Sequence, residues 1–523
     1  MMIELEIDWR MMSMEELLTA TTKRQLKLLE IMNREQRWLT AAEITRLLDC
    51  SLKTLQSDLR FFGEQWSEYF TVEVSKQKGL RLVLSNKNKI GNLYRQVIHQ
   101  NDAFTFMEEL FFEPNQDSDY WQRHCYLSEA SFYRMVNKVE KALARRGLQL
   151  ERNPFRITAT DERRVRMFFA YYFMEKNQLH DWPFPFDRQR MLCLVMRSLT
   201  DFEWTLDDAQ ILKLSYLFAI TIIRRNQGFA LKESYFQEPL DVLEQILLNN
   251  TAAVKAIVAL GQQELPQFWV KEASQTVFYQ FYIWDNPEEE LRIQRQIAQA
   301  LHKAATVADI PIKITDVESI SDRLMDLYGK FKAYPYPHFV LMDKYAYTTQ
   351  GIYTNYPVMC AILEKVLYQL EKQTNFPWYS EFRYRCIYWI FIKWDRLPLL
   401  AEAKRRKAHI LIASDLGYEH AQLLADMIEG TFQQRVIVAV NQESLLFFNQ
   451  EELRKFEDYD MIVVNNPMSI FPEEKQLVVE NIPTIRNWIE LEDQIMAFQR
   501  VPLGMIDFLK EWSQYGAVET TNH

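Results

Sequence analysis

Apolar positions recur at helical spacing along most of this chain and switch to alternation in three places, near residues 71–84, 148–158 and 409–480. Ahead of the first switch, residues 23–32 put Leu28, Leu29, Ile31 and Met32 on one side of a predicted supporting helix. Thr40 precedes a second helix, with Glu43 three residues on to complete a capping box. Asp49 and Cys50 make a tight turn, and Ser51 is a natural N-cap for a third helix over residues 52–66. On that helix Leu52, Leu55, Leu59 and Phe62 form the predicted buried stripe, so Lys53, Thr54, Gln56, Ser57 and Arg60 point away from it. Strands at 71–75 and 80–84, joined by Gln77-Lys78-Gly79, follow as a wing carrying Lys76, Lys78 and Arg81.

The same order returns about eighty residues later. Asp117 or Ser118 opens a short helix running to residue 125, Ser128 caps a longer one over 129–146, and a hairpin pairs 148–151 with 155–158 around Arg152-Asn153-Pro154. Superposing Ser51 on Ser128 turns Ser131, Tyr133, Arg134, Asn137, Lys138 and Lys141 outward. Glu129 at the helix start repels phosphate, which makes this helix the less direct reader of the two. A short polar face of Lys, Thr, Gln, Ser and Arg suits phosphate and base-edge contacts in a major groove.

From residue 161 onward long amphipathic helices dominate: 163–176, 187–199, 206–226, 238–249 and 274–284, then 292–304, 316–331 with Asp316 as its cap, 358–374 and 379–394. Each series is long enough for a helical bundle. Glu203-Trp204-Thr205-Leu206 with the helix after it is similar to Pro377-Trp378-Tyr379-Ser380 and its successor, which suggests a second duplication. His180, His302 and His338 are the ionisable groups that stand out here. His180 follows a helix and His338 closes the proline-rich loop from Tyr334, positions where an imidazole can accept a phosphoryl group.

After Lys404-Arg405-Arg406-Lys407 the period changes again, with strands at 409–413, 435–440, 459–464 and 477–480, a helix at 418–429, and final helices at 485–498 and 503–515. Alternating strands and helices predict a small parallel sheet covered on both faces. Ser414-Asp415-Leu416-Gly417 sits where strand meets helix, but one glycine and the charge of Asp415 argue against phosphate binding. Ser414 has only His420 nearby as a base, with no evident group to orient it, so no catalytic nucleophile is assigned.

At 523 residues the chain is too long for one core. Its five cysteines are scattered without a paired spacing, which argues against disulfides and structural zinc. No apolar run is long enough to span a bilayer, and the acidic first 18 residues do not read as a secretory signal, so a cytoplasmic location without membrane partners is expected. The net charge of −10 disguises an asymmetry. Residues 19–98 hold 14 Lys and Arg against 8 Asp and Glu, and residues 120–166 hold 11 against 5. Positive charge is thus concentrated on the two candidate DNA-reading units.

Residues 47–59, the stretch 212–228 ending Ile223-Arg224-Arg225-Asn226-Gln227-Gly228, residues 383–394, and 409–429 together with Tyr459-Asp460-Met461-Ile462-Val463-Val464 resemble, in this order, the Mga/AtxA family of Gram-positive transcription regulators. The resemblance implies a multidomain, mainly α chain. Its parts are winged helix-turn-helix units over 19–88 and 89–160, helical regulatory domains over 161–288 and 289–400, and a small α/β domain over 405–515 similar to the IIB component of sugar phosphotransferase systems. It also implies a non-enzymatic, cofactor-free regulator of virulence or carbon-metabolism genes that binds double-stranded DNA as a homodimer. In relatives a phosphocarrier protein of the sugar phosphotransferase system modifies helical-domain histidines, which nominates His180 and His338 here. The competing expectation is a non-enzymatic signalling or scaffold protein that docks phosphocarriers. The expected DNA-facing residues are Lys53, Thr54, Gln56, Ser57, Arg60, Lys76, Lys78, Arg81, Arg134 and Lys138.

Overall fold

The computed structural model describes residues 13–35, 37–85, 90–177, 181–200, 207–232, 272, 275–276, 287–404, 406–442 and 454–499. The chain divides into two compact units, Met1–Glu290 with Met325–Tyr347, and Leu291–Leu324 with Thr348–His523. The predicted helices at 238–249 and 503–515, and most of 274–284, lie outside the described residues.

The first unit opens with α1 (Ala20–Glu35), α2 (Ala41–Leu48) and α3 (Leu52–Gln65), followed by the antiparallel hairpin of β1 (Phe70–Ser75) and β2 (Gly79–Leu84). The polar signals at 40 and 51 start their helices as expected. Thr40 accepts from the Glu43 amide while the Glu43 carboxylate accepts from Thr40, and Ser51 accepts from the Thr54 amide. Asp49 turns the chain between α2 and α3 with a left-handed φ of 49°. Leu39 bridges to Leu80, which docks the wing against the segment before α2.

Two helices absent from the sequence reading come next, α4 (Ile90–His99) and α5 (Asp102–Phe112). α5 is apolar on most sides and buries Ala103, Phe104, Phe106, Met107, Leu110 and Phe111. It supports the second winged unit: α6 (Ser118–His124), α7 (Glu129–Ala144), β3 (Leu148–Arg152) and β4 (Phe155–Ala159). Phe106 makes edge contacts with Trp121, Phe132 and Phe155, so one ring joins α5 to both later helices and to the wing.

Three helices complete this side of the molecule: α8 (Glu162–Asn177), α9 (Arg188–Thr200) and α10 (Asp208–Asn226). α8 and α10 are buried nearly all round, and a single apolar core runs from Met14 through both winged units to Ile223. That core also takes in Tyr334, Val340 and Leu341 from far along the chain. Their segment is strapped down by polar contacts. The Glu175 carboxylate accepts the amides of Val340, Leu341 and Met342, at 2.5, 2.9 and 2.9 Å, while the buried Arg146 guanidinium donates to the carbonyls of Pro337 and Phe339 at 3.2 and 2.7 Å.

α11 (Pro287–Ala308) and α12 (Ile314–Ala333) lead into short turns α13 (Lys344–Thr348) and α14 (Gln350–Asn355). α15 (Pro357–Thr374), α16 (Arg383–Lys393) and α17 (Leu397–Ala403) follow. α12 begins two residues before the expected cap. Asp316 lies inside its first turn, where the carboxylate instead accepts from the amides of Lys313 and Asp395, at 3.3 Å each. The expected helix at 379–394 starts only at Arg383, because the Glu371 carboxylate takes the amides of Tyr379 and Ser380, both at 2.8 Å, and holds that stretch in a turn.

The C-terminal portion is a four-stranded parallel sheet in the order β6-β5-β7-β8, formed by β5 (Ala408–Ala413), β6 (Val436–Val440), β7 (Met461–Val464) and β8 (Gln476–Val478). α18 (Tyr418–Phe432) and α19 (Ile485–Gln499) cover one face through Leu424, Ile428, Leu491 and Ile495. Phe456 and Phe471 pack on the other. Among the described residues no helix is long and apolar enough to cross a membrane.

Gly79 starts β2 at φ 101°, and a β-carbon there would meet the Leu39 carbonyl oxygen at 2.2 Å. Gly79→Ala therefore strains the backbone and pushes the wing off its bridge. Thermal unfolding should show a loss of more than about 1 kcal/mol.

Candidate nucleic-acid interface

The candidate interface is built on α3. Its inner side carries Leu55, Asp58 and Phe62, all buried, with Leu59 half-buried beside them. Asp58 is the unexpected member. The Arg24 guanidinium of α1 reaches it with two hydrogen bonds, 2.7 Å from Nε and 2.9 Å from Nη2, and Gln25 adds a third at 3.3 Å. This bond to the carboxylate raises the pKa of Arg24 above its ordinary value. A charge-assisted fork of this kind fixes direction as well as distance, so it sets how α3 rotates over α1. The spacing from Leu55 through Asp58 to Phe62 is the signal that reveals it in the sequence.

With that side fixed, Lys53, Gln56, Ser57 and Arg60 lie exposed on the opposite face of α3. Thr54 is half-buried and bound up in the cap, its hydroxyl 2.8 Å from that of Ser51. Leu52 departs from the expected buried stripe. It is 53% exposed in the first turn of the helix, and it joins Leu47 on the surface.

In the wing, Lys76 and Lys78 are exposed at the turn. Arg81 is engaged instead. Register pairs it directly across the hairpin with Glu73, whose carboxylate it meets at 2.8 Å, and its guanidinium lies 4.9 Å from the centre of the Trp38 ring. The second wing repeats the device with Glu151 opposite Arg156, 2.6 Å apart. In each hairpin a carboxylate thus neutralises one arginine, and cross-strand pairing is the information that periodicity along one strand omits.

On α7, Arg134 and Lys138 are exposed. Arg134 folds back along the helix to the Ala130 carbonyl and the Ser131 hydroxyl, at 3.2 and 3.1 Å. Tyr133 is half-buried against the core rather than outward, and Asn137 accepts from Arg152 of the wing at 2.6 Å.

The candidate histidines fall elsewhere. His180 lies outside the described residues. The ring of His338 stacks on Tyr171 at 4.7 Å and 8°, with Nε2 shut off from solvent, whereas His302 is exposed on α11.

Just past the end of β5, Ser414 meets His420 of α18, the hydroxyl 2.7 Å from Nδ1, and Nε2 lies 2.7 Å from the Asn481 carbonyl. The orienting group that the sequence did not reveal is therefore a backbone carbonyl. Ser414 is buried and also accepts the Leu416 amide, so the pair closes the loop onto the residues after β8. Hydrogen bonds from Asn465 and Asn466 hold the Asp415 carboxyl below its usual range, leaving negative charge where a phosphate would have to enter.

Residues 86–173 match the family model described as the Mga helix-turn-helix domain, and residues 19–78 match that of the M protein trans-acting positive regulator (MGA) HTH domain. A Streptococcus pneumoniae serotype 4 protein described as a trans-acting regulator is 22% identical over 493 residues, covering 90% of this chain and 97% of that protein. The capsule synthesis positive regulator AcpB of Bacillus anthracis is 25% identical over 208 residues, 40% of this chain and 43% of its own length. The anthrax toxin expression trans-acting positive regulator of the same organism is 25% identical over 207 residues, covering 39% and 43%.

Removing the carboxylate beneath α3 leaves Arg24 without its partner. Asp58→Ala should cost about 3 kcal/mol in chemical denaturation, with Asp58→Asn losing less because it retains an acceptor.

Proposed function

We propose that this chain, whose residues 19–78 and 86–173 match Mga helix-turn-helix models, is a transcription regulator of the Mga/AtxA type that acts by gripping double-stranded DNA through its two winged units, α3 in the major groove as the principal reader. The observation that carries the proposal is the rigidly oriented α3, with Lys53, Gln56, Ser57 and Arg60 exposed and Lys76 and Lys78 exposed on the adjoining wing. Lysines and arginine supply phosphate contacts; Gln56, able to donate and accept at once, is suited to an adenine edge. Arg134 and Lys138 add backbone affinity from α7, and Arg81, already paired with Glu73, adds less.

In this reading the protein works as a homodimer and without catalysis, its buried Ser414 serving the loop rather than a substrate. Response to a sugar-system phosphocarrier is part of the proposal through His180 and His338. At His338 it requires the ring to leave Tyr171 first. Phosphoryl transfer from the carrier, followed by mapping of the labelled residue, tests that arm: label at neither histidine removes it.

The DNA arm is tested by titrating duplex at several salt concentrations. Lys53→Ala and Arg60→Ala should each weaken binding on every sequence and flatten the salt slope by about 1. Gln56→Ala should instead cost about 1–3 kcal/mol of discrimination at one base pair. Affinity unchanged by both charge removals would rule out α3 as the docking helix.

A further inference from the structure

The duplicated units can be compared residue by residue through their cap serines, and the position two before each cap has the same unusual backbone. Asp49 in the first unit has φ 49°, and Tyr126 in the second has φ 51°. Left-handed backbone suits Gly, Asn and Asp and disfavours other side chains. Asp49 obeys that preference and Tyr126 does not.

Its neighbours make the choice stranger. Cys125 and Leu127 pack against the core, while the ring between them is 95% exposed, the largest exposure among the described exposed hydrophobic side chains. Neither local conformation nor burial accounts for a tyrosine here. The turn does lie beside the start of α7, with Arg123, Arg134 and Lys138 all exposed on the flanking helices. A helix N-terminus that meets phosphates brings the exposed residues of the turn before its cap close to the groove edge.

We propose that Tyr126 is a DNA-contacting residue of the second winged unit: its ring rests on the deoxyribose at the groove edge and its hydroxyl donates to a phosphate oxygen. The inference rests on the reading of α7 as a DNA-facing helix. It also explains how a helix that begins with Glu129 holds its place on an anionic duplex. The contact positions the unit and carries no base preference.

The test uses the full chain, a promoter fragment and a random duplex, with anisotropy titrations at several salt concentrations alongside thermal unfolding. Tyr126→Asn suits the left-handed turn, so its melting temperature should equal or exceed that of the unaltered protein. Its affinity should nonetheless fall about tenfold, equally on both duplexes. Tyr126→Phe, which keeps the ring and loses the donor, should fall between the two. Unaltered protein that binds duplex in a salt-dependent way, beside a Tyr126→Asn variant of equal affinity, overturns the contact and leaves the DNA-binding reading standing. The contact is equally overturned if that variant keeps its affinity but fails to activate a reporter, since the ring then meets a protein. Absence of salt-dependent duplex binding by the unaltered chain overturns both.

Discussion

A carboxylate with almost no access to water decides which face of α3 is turned outward. Asp58 faces inward from α3 onto Arg24, and because two nitrogens of one guanidinium engage its two oxygens, α3 is held in rotation as well as in place. Apolar packing by Leu55 and Phe62 tolerates sliding; the fork does not. Everything polar on the far side of the helix inherits its direction from that pairing. The caps at Thr40 and Ser51 fix where helices begin, and the left-handed Asp49 fixes the angle between them, but neither sets which face looks outward.

Charge at the interface is trimmed as much as it is supplied. The cross-strand pairs Glu73 with Arg81 and Glu151 with Arg156 leave each wing less cationic than its composition implies. Free charge is then concentrated at the first wing's turn and on the outer face of α3. Each arginine so paired is one fewer free cation on the wing.

Local chemistry made much of the fold legible. Caps at Thr40, Ser51, Asp117 and Ser128, the two hairpins, and the alternation of strands and helices after residue 408 all follow from side chains within a few residues of one another. What escaped the sequence depends on distant partners. α5 carries only a narrow polar face, Asp102, Thr105, Glu108 and Glu109, beside a broad apolar one, and Phe106 of that broad side is explained by the distant Trp121, Phe132 and Phe155 that surround it. Asp316 looks like a cap until the Asp395 amide arrives to claim it. Most of the outward face of α3 was readable from spacing, yet the part-burial of Thr54 in the cap, the exposure of Leu52 and the engagement of Arg81 by the opposite strand were not.

The strap from Tyr334 to Met342 changes what counts as a separable piece. It belongs to the same apolar core as the winged units, though some 170 residues lie between it and the last strand of the second wing. Without it the buried Glu175 carboxyl would lose the three amides it accepts from, and the buried Arg146 the two carbonyls it donates to. A protease cut after residue 160 would therefore separate the winged units from part of their own core. The compact unit that holds both winged elements is discontinuous in sequence, and whatever pulls on the chain near residue 340 pulls on their shared core.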